Sequence, residues 1–390
     1  MITKTIKGFW RAASLWGLLA LLLTVTTSCT ETLEKDVGGQ TTAVGDDDGI
    51  IFLVGDDVTR GAYVAGPSLL KYGVYSYYSD NKKNYLANSI VSRTAVGNPW
   101  TKSINIKFPN ATRELDFYAM APGFTFNGVT ATMTKDVKSV SFKLPTVNAL
   151  QTDFMFSSLM AQTRNSTNNI IKFNFKHMFS YLRFNSKLSN ADIDVTIHSI
   201  KLHNLKSTGT FTMDNNKANT GNWTLDSNEY DTYEFVLPKD SALTYRKTLT
   251  LHNTDSMLFV MPHAPTLFKI SENSGFAAAD SAKQAYASIL CRIVNKADNS
   301  YVGCTETTWA EVYYPIKSAT WYSTKQPYGG TYTVSIEFTG GYTYSGLDFL
   351  KENTYGDGSL ENTSVEGVQG GVYSTADWED DTVNSETITL

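Results

Sequence analysis

The sequence predicts an all-β protein: two β-sandwich domains behind a secretion signal and a flexible tether. Three observations carry this. The 390-residue chain is 42% hydrophobic and 13% aromatic but only 18% charged, with 22 Tyr and 20 Phe. That mixture suits half-exposed pleated sheets better than helices. Short alternating apolar runs recur between turn residues, and 27 Gly against 10 Pro supply turns without a collagen-like or proline-rich pattern. Helical periodicity is weak, and its best stretch, 277–287, reads as a short surface insertion. At about 150 residues per domain, the length suggests two domains. A net charge of −5 argues against a phosphate-backbone ligand, so no nucleic-acid partner is expected.

The chain begins with an address label. Lys4, Lys7 and Arg11 precede the apolar run Leu15–Leu23. A bilayer span takes roughly 20 residues, so this shorter run reads as a signal core. Val25-Thr26-Thr27-Ser28-Cys29 resembles a bacterial lipobox, although Leu is more usual at the position of Thr26. Residues 1–28 are then the signal, and Cys29 becomes the lipidated first residue, an outer-membrane anchor. Losing the three bases takes the charge from −5 to −8. Residues 29–49 carry almost no large apolar side chain and form a tether. Its Glu31, Glu34 and Asp36 resemble surface-export signals of Bacteroidetes lipoproteins, and read equally as a solvated linker. Asp46-Asp47-Asp48-Gly49 lacks the alternate spacing and distant Glu of an EF-hand.

Residues 50–165 form the expected N-terminal domain, with strands at 50–54, 72–78 and 115–120. Residues 166–390 form the C-terminal domain, with strands at 197–203, 256–261 and 332–338 and a Gly-rich tail. The polar stretch 161–169 marks the boundary, and a boundary near Asn190 is the alternative. Ile171, Phe173 and Phe175 are apolar at odd positions, Leu182 and Phe184 at even ones. Such a parity switch implies a β-bulge or a bend between sheets. A turn at 296–299 sets Asn295 opposite Ser300 and, counting outward, Cys291 opposite Cys304. A cross-strand disulfide is therefore expected, with two free buried thiols as the alternative after a register slip.

Signatures of catalysis fail in turn: there is no G-x-S-x-G, Walker A, G-x-G-x-x-G or H-E-x-x-H pattern. His177, His198, His203, His252 and His263 show no metal-ligand spacing, so no metal or cofactor is expected. On a regular strand His198 and His203 point to opposite faces. His177 reads as a packed core residue, and Tyr75, Tyr77 and Tyr78 as the cover of a sheet.

Seven stretches then resemble one family in order. They are Val58-Thr59-Arg60, Phe117–Pro122, Gln151–Met155, the Phe-x-His strand Phe173–Phe184, Leu258–His263, Trp321 with Tyr332–Ile336, and Ala376-Asp377-Trp378. The chain resembles the fimbrillin family of Bacteroidales surface lipoproteins, the Mfa-like type V pilus subunits. That resemblance implies two transthyretin-like Greek-key sandwiches and a non-enzymatic fimbrial subunit or fimbria-associated adhesin. It implies other fimbrillin-like subunits as partners, and host or bacterial surface glycans or proteins as adhesion targets. It further implies a cut after Arg60 that removes the strand 50–54, leaving a groove for a neighbour's strand; Arg60 as a simple loop cation stays open. Thr387-Ile388-Thr389-Leu390 is apolar at every second residue, as a donor strand is, or pairs within its own domain. A free-standing glycan-binding lipoprotein is the alternative function.

Overall fold

Alternation in the first strand shows how the fold is built. In a computed structural model describing residues 49–55, 69–253, 256–268, 276–316, 328–338 and 372–377, β1 (Ile51–Val54) turns Phe52 and Val54 inward. It pairs in parallel with β9 (Ile170–Phe173), and this two-stranded layer covers a six-stranded sheet. That sheet runs β10 (Lys176–His177), β8 (Met155–Gln162), β5 (Leu115–Ala121), β2 (Lys71–Tyr78), β3 (Asn84–Ser92) and β4 (Thr101–Lys102).

Every residue of β5 is buried. Phe117, Ala119 and Ala121 face the core shared with β1, while Tyr118 and Met120 face a second, larger core. A strand covered on both faces needs no polar side, which is why this run does not alternate. The exception is buried Asp116, which accepts from Ser79 Oγ (2.6 Å) and the Ala161 amide (2.9 Å) and pairs with Lys82 (2.6 Å). Tyr77 is buried and Tyr75 packs on the larger core, so these tyrosines cover the sheet.

Three further sheets enclose the larger core. One is the meander β14 (Gly221–Leu225), β13 (Thr208–Met213), β7 (Lys138–Lys143), β6 (Val129–Met133). The second is β15 (Tyr230–Ala242), β12 (Ile193–Lys206), β18 (Tyr286–Asn295), β19 (Ala310–Pro315). The third is β16 (Thr248–Thr250), β11 (Ser180–Leu188), β20 (Thr331–Phe338), β21 (Val372–Asp377), with β17 (Leu258–Val260) also on β11. Phe184 of β11 stacks on Phe235 of β15 at 4.7 Å, joining the last two sheets. The chain is thus all-β, with only α1 (Arg164–Thr167), α2 (Phe276–Ser281) and one 3-10 turn among the described residues.

The parity switch is a bend between sheets: β9, β10 and β11 follow one another but lie in three different sheets. A second switch separates His198 from His203. The register of β12 slips between Ile197 and Ser199, so Ile193, Val195 and Ile197 point inward, then Ile200 and Leu202. Both histidines therefore lie on the face away from the core, correcting the opposite-face expectation. The helical stretch is confined to α2, and Tyr286 already begins β18.

The disulfide expectation is also corrected, because Cys291 and Cys304 are free thiols. The Asn295 amide donates to Ser300 O (2.9 Å) and the Val302 amide to Ile293 O (2.9 Å), as the hairpin count requires. Gly303 then adopts φ +66° and turns the chain away. Ala310 takes the place opposite Cys291, and Cys304 Sγ ends 4.0 Å from Ile293 O. Burial pushes the Cys291 thiol pKa up, and the nearby Cys304 adds to it.

Candidate subunit-assembly site

The strand β1 is seated by backbone on one side and by side chains beneath. The Ile51 amide donates to Asn169 O (2.7 Å) and the Gly55 amide to Phe173 O (2.8 Å), fixing Phe52 opposite Ile171. On its other flank the Ile50 amide donates to Ile106 O (2.8 Å), and Lys102 Nζ donates to Ile50 O (2.7 Å). The Phe52 ring lies 6.0 Å from Phe117, edge-on, and 6.0 Å from Phe173, stacked. Tyr72 continues this aromatic floor, 5.8 Å from Phe173 and 5.3 Å from Phe175. Burying Ile50, Phe52 and Val54 contributes on the order of 1.5–3 kcal/mol each. Withdrawing β1 would unpair one edge of β9 and uncover that floor. Such an edge over an apolar groove accepts another strand by the same bonds.

A buried polar junction joins residues from three of the stretches singled out in sequence. Gln151 Nε2 donates to Phe259 O (2.9 Å) and to Pro145 O (2.8 Å), while its Oε1 accepts from the Phe259 amide (2.7 Å). One side chain thus pairs with Phe259 as a strand would. Asp153, fully buried, forms an ion pair with His177 (2.8 Å), whose side chain is 18% exposed. Burial depresses the His177 pKa, but the charge of Asp153 and its hydrogen bond together outweigh it and hold the imidazole above its ordinary value. Behind them, Gly329 adopts φ +66°, and a Cβ there would sit 2.7 Å from His177 O. The glycine lies three residues before Tyr332, on the approach to β20. Sequence reading placed His177 in the core but missed Asp153 as its partner and Gln151 as the partner of Phe259. Their only signal was membership of the same run of familiar motifs.

The other histidines are satisfied individually. His203 stacks on Tyr286 at 4.3 Å and bonds Ser288 Oγ (2.8 Å), and burial pushes its pKa down to about 4. His263 Nδ1 meets Met261 O (2.7 Å), and burial likewise takes its pKa to about 4. His198 pairs with Asp240 (2.7 Å) and stacks on Trp309. Among the described residues no three His, Cys, Asp or Glu side chains are grouped to hold a metal. Cys29, Arg60 and Thr387, Ile388, Thr389 and Leu390 lie outside the described residues, as do Trp321 and Trp378.

These features define an all-β architecture of several sheets packed around two cores, with a buried polar junction between them. The chain belongs to the fimbrillin-like family, whose profile matches residues 70–345. Similar solved structures include a fimbrial protein from Bacteroides vulgatus, 14% identical, covering 74% of this chain and 95% of that one, TM-score 0.49. Another is a candidate cell adhesion protein from Bacteroides uniformis, 12% identical, covering 85% of this chain and 98% of that one, TM-score 0.41. A third, titled as a candidate polysaccharide-binding protein, is from Bacteroides thetaiotaomicron, 13% identical, covering 76% and 93%, TM-score 0.36. No curated protein matches the chain.

Proposed function

We propose that the chain is a non-enzymatic fimbrial subunit or fimbria-associated adhesin that joins other fimbrillin-like subunits by strand exchange at the cell surface. It is held at the outer membrane through lipidated Cys29 until assembly. The observation that supports this reading is β1: a short strand, paired to one neighbour, whose Ile50, Phe52 and Val54 fill an aromatic-floored groove. Arg60 follows it closely in the chain, so one cut there would leave β1 attached to the body by non-covalent contacts alone. Release of β1 then exposes the groove, and Thr387–Leu390 of a neighbour supplies alternate apolar side chains to refill it. Exchange of one strand for an equivalent one costs little net burial, which is what makes polymerisation feasible without an energy source.

The test is limited digestion of the mature protein with an arginine-specific protease, followed by unheated denaturing gels and electron microscopy. A single early cut after Arg60, with a ladder of detergent-resistant oligomers and fibres, is expected. An uncut, persistently monomeric product would overturn the strand-exchange reading and redirect the search to surface glycan ligands.

A further inference from the structure

We propose that Lys138 and Asn215 are joined by an intramolecular isopeptide bond, Lys138 Nζ to Asn215 Cγ, formed with loss of ammonia. The starting point is a lysine in a core position. In β7, Lys138, Val140 and Phe142 alternate inward, and Lys138 has no exposed surface. Lysine is almost never fully buried unless its head is committed to a partner. Its Nζ lies 4.1 Å from the centre of the Tyr77 ring and 5.3 Å from that of Tyr118. It donates to Lys135 O (2.8 Å) and to Asn215 Oδ1 (3.0 Å).

The carboxamide is held as firmly as the amine. Asn215 follows β13, whose Thr212 pairs with Ser139, so the two side chains meet at the end of neighbouring strands. Asn215 Nδ2 donates to Asp136 O (2.6 Å), the Tyr118 hydroxyl donates to Oδ1 (3.4 Å), and Lys82 Nζ donates to the backbone oxygen (3.1 Å). The amine is thus presented to a carboxamide fixed at both ends, the arrangement in which proximity replaces most of the entropy of encounter.

Attack needs a neutral amine. Burial, and secondarily the Lys82 charge, lowers the Lys138 pKa to about 8, against the pull of Asp116 and Asp136. Relative to the ordinary 10.5, this raises the neutral fraction at pH 7 by about 300-fold. Burial holds the Tyr118 pKa above its ordinary value, so its hydroxyl stays a donor to the oxygen that gains charge. The bond formed is Nζ–Cγ and the bond broken is Cγ–Nδ2. Nδ2 takes up the proton that Nζ releases and leaves as ammonia. No oxidant, metal or cofactor is required.

The consequence is a covalent staple between β7 and the turn after β13, backed by Tyr77 and Tyr118 of the six-stranded sheet. It goes beyond the assembly reading and does not depend on it. The rival arrangement is an ammonium resting on Tyr77 by cation–π attraction, which uses the same contacts without a bond. Tryptic digestion of the purified full chain, read by mass spectrometry, separates the two. The bond predicts no cleavage after Lys138 and a branched peptide containing both residues, lighter by one ammonia than its two arms. Asn215→Ala, in a half-exposed turn, should yield linear peptides and a lower melting temperature with an unchanged circular dichroism spectrum. Linear peptides cleaved at Lys138 from the folded wild-type protein would overturn the proposal.

Discussion

Gln151 shows how much one side chain can carry. Its carboxamide satisfies both the amide and the carbonyl of Phe259, on a strand 108 residues away. Phe259 is itself buried, so neither group has water to fall back on. Each orphaned backbone group costs about 1–3 kcal/mol. Gln151→Leu keeps the bulk and removes both bonds to Phe259 and the one to Pro145, so stability should fall by about 2–4 kcal/mol. Urea denaturation is the measurement: the midpoint should drop while the slope, which follows the surface exposed on unfolding, stays constant. An unchanged midpoint would mean that Phe259 finds other partners.

At the scale of elements, what was legible depended on whether the deciding contact is local. Strand 50–54 is legible because its own alternation marks the buried face, and the bend after Phe175 is legible because parity reverses within one run. The hairpin count held from Asn295 to Val302 for the same reason. It failed at Gly303, where a left-handed residue ends the pairing and no local pattern announces it. The bulge at His198 was invisible too, because it is defined jointly by β15 and β18, distant in sequence. For the candidate site, β1 was read correctly, but its parallel partner β9 and the Gln151–Phe259 pairing are long-range facts. The seat of β1 can be tested alone. Phe52 is buried between Phe117 and Phe173, and truncating a buried Phe costs about 3–5 kcal/mol. Phe52→Ala should therefore loosen β1 selectively, raising hydrogen exchange at Ile51 and Gly55, whose amides bond to β9. Equal protection at those amides in variant and wild type would show that backbone pairing, and not the aromatic floor, holds the strand.

For the whole molecule, the buried histidines set how stability answers to pH, and their signs differ. His203 and His263 have folded pKa values of about 4 against an ordinary 6.5, so the fold favours their neutral forms. Their contribution is present above 6.5 and is lost as pH falls from there toward 4, up to about 3 kcal/mol each. His252 is lowered as well, by burial first, and acts in the same direction. His177 opposes them: burial lowers its pKa but Asp153 raises it further, so its contribution is full below 6.5 and fades as pH rises through its folded value. Three groups against one make acid the destabilising direction. Glu311 adds to this at lower pH, since bonds from Ser288 and Lys201 outweigh its burial and hold its pKa below the ordinary carboxylate value. The melting temperature should therefore be highest near neutrality and fall steadily from pH 6.5 to 4. His203→Gln should flatten that slope, because an uncharged amide on Tyr286 has no proton to gain. A melting temperature that instead stays level from pH 6.5 to 4 would mean that the fold does not favour the neutral forms of His203 and His263.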